Sequence, residues 1–261
     1  MNPATASSGT RRWAVACAAA VWVSHAAAGP AAVEAAGSSE HLSGGRSDWR
    51  SAELLALWNA PSADWSGYAA ARRTERFDQV DGQLEGGASW RPAPGWRAEA
   101  ELAQSSTHRV LPQWRLRSRG WWLDVGGWNL AAGAGRTLYR AGTVQGSSVA
   151  ELQAEHYFRA VRFAWTGSVT HLDVGGSSAA QQWNLNWYPN EFSTLGLLLA
   201  FGRELESVPG TGVVASRVRG AALSGMWQAS PDWRLSAELS AQKVGALYER
   251  SGLRLGLRRQ F

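Results

Sequence analysis

Arginine and glutamate recur at every second residue in two neighbouring stretches of this 261-residue chain: Arg97, Glu99 and Glu101, then Arg115, Arg117 and Arg119. Alternate residues of a β-strand share one face. If segments 95–105 and 112–119 are antiparallel neighbours, the six charges meet as a ladder. Glu85, Glu151, Arg162, Arg234, Glu238, Arg254 and Arg258 fall at similar positions in other segments, with Arg91, Asp124 and Glu155 close by. A charged face of this kind can serve as an eyelet for an anionic or polysaccharide solute. It can equally neutralise itself by cross-strand pairing and stiffen a wall. The signs alternate instead of segregating, which favours the second use.

Other chemistry is sparse. His108, His156 and His171 are the histidines outside the N-terminal region, apart from His41. A hydrolase acting on lipid or peptide would need serine, histidine and an acid within contact of about 3 Å. Glu155-His156 sits at a tight turn, and Ser147-Ser148 lies at the other end of the same segment, roughly 30 Å away at about 3.3 Å per residue. There is no phosphate-binding loop, dinucleotide fingerprint or zinc spacing. No catalytic, cofactor-binding or metal-ligating residue is therefore assigned, and an outer-membrane hydrolase stays as the alternative reading. The net charge of +5 comes from arginines interleaved with glutamates, not from a basic tract, which argues against nucleic acid.

These residues need a scaffold, and the chain begins with directions for where it is built. Arg11-Arg12, an apolar run from Trp13 to Val23, and Ala26-Ala27-Ala28 have the order and size of a secretory signal peptide over 1–28. About 11 apolar residues are too few for a membrane-spanning helix. The single cysteine, Cys17, falls inside that leader, so an exported chain would carry no thiol. Residues 29–48, rich in Ala, Gly and Ser, read as a flexible tail.

From residue 49 onward no apolar run is long enough to span a bilayer, so a membrane protein here can only be a barrel. Segments of about ten residues do alternate with period two. Leu253, Leu255, Leu257 and Phe261 oppose Arg254, Gly256, Arg258 and Gln260; Trp233, Leu235, Ala237 and Leu239 oppose Arg234, Ser236, Glu238 and Ser240. Such segments fall near 65–77, 82–91, 95–105, 112–119, 121–132, 148–158, 160–172, 179–189, 193–204, 214–229, 232–243 and 249–261. The expectation is an all-β, antiparallel, transmembrane up-and-down barrel of about 12 strands, with 10 to 14 open. Tight turns at Pro92–Gly95, Gly120, Arg159, 189–191 and 230–232 alternate with longer connections at 106–111, 133–147, 173–178 and 205–213, as periplasmic turns and outer loops would. Trp49 to Trp58 fits a further strand, a helix or part of a plug. A soluble β-sandwich also alternates, but no second sheet remains to cover the apolar faces. The 16 tryptophans suit a membrane interface.

Terminal Phe261 behind Leu253, Leu255 and Leu257 is similar to the insertion signal read by the barrel assembly machinery, with Arg259 where an aromatic or apolar residue is usual. Glu75-Arg76-Phe77-Asp78, Val110-Leu-Pro-Gln-Trp114, Trp121-Trp122, Glu155-His156-Tyr157-Phe158 and Gly256-Leu-Arg-Arg-Gln-Phe261 together resemble the YaiO-type outer-membrane β-barrel family, over residues 49–261. That resemblance implies a Gram-negative outer-membrane location and contact with its lipid, and supplies no activity or site residue. The reading is a non-enzymatic barrel that serves envelope structure or passes a polar, saccharide-like solute.

Overall fold

The computed structural model describes residues 31–59, 64–140, 145–208 and 212–261, with backbone alone at 204–208 and 212–215. The leader expected over 1–28 lies outside the described residues. The described chain forms strands β1 (Ala32–Leu42), β2 (Trp49–Asn59), β3 (Trp65–Arg76), β4 (Gln79–Trp90), β5 (Trp96–Ser105), β6 (Trp114–Val125) and β7 (Trp128–Tyr139). Seven more follow: β8 (Gln145–Phe158), β9 (Val161–Leu172), β10 (Ser177–Asn190), β11 (Ser193–Val208), β12 (Gly212–Ser230), β13 (Trp233–Val244) and β14 (Tyr248–Gln260). Each pairs antiparallel with its sequence neighbours, and β1 pairs with β14 to close the barrel.

Closure corrects three expectations. The count is 14, not 12, because the stretch expected as a flexible tail contains β1, and Trp49–Asn59 is a full strand. β1 lies between β14, in register from Ala32↔Gln260 to Leu42↔Arg250, and β2, from Ala32↔Leu57 to Glu40↔Trp49. From Ala32 to Glu40, β1 thus has a ladder on both sides, which offsets the ordering of a segment with little apolar surface to bury. The turn expected at Gly120 is also displaced. Gly120 sits within β6, and the chain reverses at Gly126-Gly127, where φ of 60° and 82° suits a residue without Cβ. Finally, residues 133–139, 145–147, 205–208 and 212–213 belong to strands, and β3 and β4 join through Phe77-Asp78 alone, so the distal connections are shorter than expected, apart from residues 106–113 between β5 and β6.

The outer face is apolar and asymmetric. Leu84, Leu102, Leu152, Leu223, Leu239 and Leu255 all stand exposed along its middle. At the end holding Ala31 and Phe261, Trp65, Trp90, Trp96, Trp122, Trp128, Trp187, Trp227 and Trp233 form a ring of exposed aromatics. Leu253, Leu255, Leu257 and Phe261 belong to this surface, and the Phe261 amide donates to the Ala31 carbonyl at 3.1 Å. The distal end carries charge instead, including the Arg136–Asp173 and Lys243–Glu249 pairs.

Because β1 seals the barrel, a proline inside it should unseal it. Ala36→Pro removes a ladder N–H from a strand paired on both sides, while Ala36→Ser keeps it. On unheated gels of detergent-refolded protein, the serine variant should run as a compact, heat-modifiable band and the proline variant only at the unfolded position.

Candidate functional site

The lumen is lined by the alternate residues that the outer face leaves over, and its charges are linked in chains. On the wall from β14 to β3, Arg258 reaches Glu34 at 2.7 Å and Arg254 reaches both Glu34 at 3.1 Å and Glu53 at 3.2 Å. Arg72 donates from Nε to Glu53 at 2.7 Å. Glu85 accepts from Arg115 at 2.9 Å and from the Tyr68 hydroxyl at 2.8 Å. Glu99 takes Arg97 at 3.0 Å and Arg119 at 3.3 Å, and Arg119 Nε also donates to Glu151 at 2.9 Å. Arg162 Nε donates to Glu155, 2.9 Å away. These carboxylates are deeply sheltered, and a partner lost from such a group costs more than an exposed pair would.

Several of these pairs step over a strand, which adjacent-strand reasoning did not anticipate. Arg119 on β6 meets Glu151 on β8 across β7. It can do so because β7 presents Gly133 to the lumen there: a Cβ on Gly133 would lie 2.9 Å from Glu151 Cγ. Likewise Arg115 meets Glu85 across β5, where Ala103 is the inward residue. Glu101 and Arg117 face each other in the β5–β6 register, yet no carboxylate among the described residues lies within ion-pair distance of Arg117. Arg234 and Glu238 are directly opposite Arg258 and Arg254 on β14 without closing an ion pair. Arg91, just past β4, and Asp124, near the end of β6, are exposed and do not line the lumen. Glu34, Glu40, Glu53 and Arg72 line it as well, Glu34 and Glu40 from one face of an alternating stretch that carries few large apolar residues.

Two further features narrow the distal mouth. Leu42, Trp49, Val218, Val244 and Tyr248 form a buried apolar cluster, against which Phe77 packs. The guanidinium groups of Arg76 and Arg250 cap the Trp49 ring at 4.4 and 4.9 Å. Beside it, Asp81 is fully buried and accepts from the backbone amides of Arg109 at 3.1 Å and of Val110 and Leu111 at 2.8 Å. The Thr107 hydroxyl also donates to it. Together these bonds fold the 106–113 connection back over β4. A carboxylate satisfied by that many donors is a strong anchor.

What stays open lies along β6 to β11, a cavity of about 510 Å³. Arg117, Arg119, Arg162 and Glu151 border it. Gln153, Thr166, Ser168, Gln182 and Asn184 add amides and hydroxyls to the same lining. Among described residues, alternation turns no charged side chain of β10, β11 or β12 inward: polar Ser178, Gln182, Asn184, Asn186, Thr194, Ser224 and Gln228 are interspersed with apolar Leu198, Val218 and Met226, and Arg203 borders the cavity at its distal end. The lumen therefore has a charged, cross-linked side and a neutral, hydrogen-bonding side.

The histidines are placed elsewhere. His156 Nδ1 is 2.6 Å from the Gly127 carbonyl at the end holding Ala31 and Phe261, far along β8 from Ser147. His171 contacts Ser177 at 3.1 Å at the distal rim. His108 does touch a serine, Ser105, at 3.0 Å, but the Ser105 hydroxyl donates to the Pro112 carbonyl at 2.6 Å and is 2% exposed. That arrangement closes a loop. Among the described residues no cluster of three or more histidine, cysteine, aspartate or glutamate side chains could hold a metal ion.

No family model matches the chain, and neither does any curated protein. Solved structures do. OmpT of Vibrio cholerae, described as outer-membrane expressed, is 10% identical with a TM-score of 0.51 over 88% of this chain and 98% of its own. The CymD monoaromatic hydrocarbon channel is 8% identical with a TM-score of 0.53 over 88% of this chain and 87% of its own. An anion-selective porin from Comamonas acidovorans is 9% identical with a TM-score of 0.50, covering 88% and 98% respectively. At such identities the likeness is one of fold, the closed antiparallel barrel of outer-membrane proteins.

The ion-pair chains predict unequal costs for two arginines of one ladder. Arg119→Gln strips partners from Glu99 and Glu151 and should destabilise the barrel by about 1–3 kcal/mol. Arg117→Gln breaks no ion pair and should stay within about 0.5 kcal/mol of the parent. Gly133→Leu, which wedges Arg119 and Glu151 apart, should reproduce the Arg119→Gln loss. Urea unfolding in micelles, followed by tryptophan fluorescence, gives all three values.

Proposed function

We propose that the protein is an outer-membrane barrel that passes small polar solutes, hydroxylated and anionic ones such as acidic saccharides foremost, without changing them chemically. The observation that carries this reading is the cavity along β6 to β11, where Arg117, held in no ion pair among the described residues, shares the lining with amides and hydroxyls. Guanidinium recognises carboxylate and sulfate geometry. Amides and hydroxyls replace the water around sugar hydroxyls without binding them so tightly that release slows.

Location follows from the outer surface. A ring of exposed tryptophans at one end of a leucine-covered wall suits a membrane interface, and an apolar wall with no second layer suits lipid. Ala31 and Phe261 then lie on the periplasmic side, with the strand bearing Leu253, Leu255, Leu257 and Phe261 available to the barrel assembly machinery. The leader over 1–28 and the YaiO-type motifs agree with this placement.

In planar bilayers the purified protein should conduct with a preference for anions, and an acidic disaccharide should reduce the current from either side. Arg117→Gln should abolish the preference, because a fixed charge sets which ion enters, and should leave folding intact. A reversal potential unchanged by Arg117→Gln, or absence of conductance from folded protein, would overturn the reading.

A further inference from the structure

The distal outer surface of β11 and β12 carries charge that the lumen does not explain. Arg203 on β11 is directly opposite Arg217 on β12, and Arg219 is directly opposite Lys243 on β13. All three arginines point outward and are exposed, and among the described residues none makes an ion pair. Like charges placed opposite one another destabilise a ladder, so this arrangement calls for an anion. Two other bases on the same rim are paired: Arg136 is held by Asp173, and Lys243 by Glu249 at 2.7 Å.

Its height on the wall identifies the anion. Arg219 stands eight residues along β12 from Trp227 of the aromatic ring, and Arg217 ten. At about 3.3 Å per residue and a tilt near 40°, that is roughly 20–25 Å, the thickness of the apolar band of such barrels. The arginines therefore sit where lipid headgroups of the far leaflet begin. Below them Leu197, Phe201 and Leu223 are exposed to acyl chains. Gln181, Phe201 and the three arginines border a groove of about 790 Å³ on this face.

We propose that Arg203, Arg217 and Arg219 bind the phosphorylated sugar headgroup of an outer-leaflet glycolipid of the lipid A type. The guanidinium forks take phosphate oxygens in pairs, Gln181 meets sugar hydroxyls, and the acyl chains lie on the leucines beneath. The inference rests on the outer-membrane placement proposed above.

The test is binding of bis-phosphorylated lipid A to the full, refolded barrel in zwitterionic micelles, measured by native mass spectrometry. Its dephosphorylated form, inorganic phosphate and phosphatidylglycerol serve as alternative probes. Bis-phosphorylated lipid A should bind at least tenfold more tightly than the dephosphorylated form. The triple variant Arg203→Gln/Arg217→Gln/Arg219→Gln should lose at least tenfold, Arg136→Gln should lose nothing, and replacement of the three by lysine should fall between. The glutamine variant must first show the heat-modifiable band; should it fail to fold, the single variant Arg217→Gln carries the test, with a severalfold loss expected. Equal affinity of variant and parent would overturn the proposal. So would competition by inorganic phosphate at the same concentration, which marks a free-anion site, or equal binding of phosphatidylglycerol, which marks unspecific charge. Conductance of the same preparations keeps the two readings separate: a conducting barrel that ignores lipid A defeats only this inference, whereas folded protein that neither conducts nor enters membranes defeats the placement beneath it.

Discussion

The interior of this barrel is organised by the pairing of its inward arginines and glutamates. A 14-stranded wall turns every second side chain inward, and the arginines and glutamates among them concentrate on β5, β6 and the wall from β13 through β14 to β4. Ion pairs form locally, but adjacent strands do not always present opposite charges at the same height. The solution is to let guanidinium groups reach past a strand. That requires a glycine or alanine on the strand being crossed, as at Gly133 between Arg119 and Glu151. Small inward residues on the charged side are thus part of the electrostatics, not gaps in it.

The consequence is a division of labour around the wall. Chains of pairs from Arg258 through Glu34, Arg254 and Glu53 to Arg72 fill one side, and the Trp49 cluster and the Asp81-anchored connection narrow its mouth. Strands β10 to β12 carry no such network because they carry no inward charge among their described residues. Space is left there, and Arg117 faces it unpaired. A wholly self-neutralised wall would be stiff and closed; one cation held back from pairing gives the open side a polarity it would otherwise lack.

Much of this was legible in the chain itself. Leu253, Leu255 and Leu257 alternate with Arg254 and Arg258 so regularly that face and strand follow together. β1 was not legible, because its outward residues Ala35, Gly37 and Ser39 carry no large apolar group and the segment gains order only from its two neighbours. Gly120 looked like a turn because glycine is a common turn residue; Gly126-Gly127, with both backbones left-handed, was the better signal. Pairing was only half legible. Sequence shows that Glu101 and Arg117 are neighbours, but not that Arg115 prefers Glu85 or that Arg119 prefers Glu151, since those choices cross a third strand. The neutral face of β10 to β12 was written plainly in Gln182, Asn184 and Asn186, yet it draws notice only once closure sets it against the charged side.

The central claim is that solute moves along β6 to β11 and not through the ion-paired side, and cysteine accessibility tests it most directly. Gln182→Cys and Thr166→Cys on the open side, and Ser38→Cys and Ser51→Cys on the paired side, can each be exposed to a cationic methanethiosulfonate reagent while conductance is recorded. The account predicts fast modification and loss of current at Gln182 and Thr166, with little of either at Ser38 and Ser51. Equal block from both sides, or block from Ser38 and Ser51 alone, would contradict it.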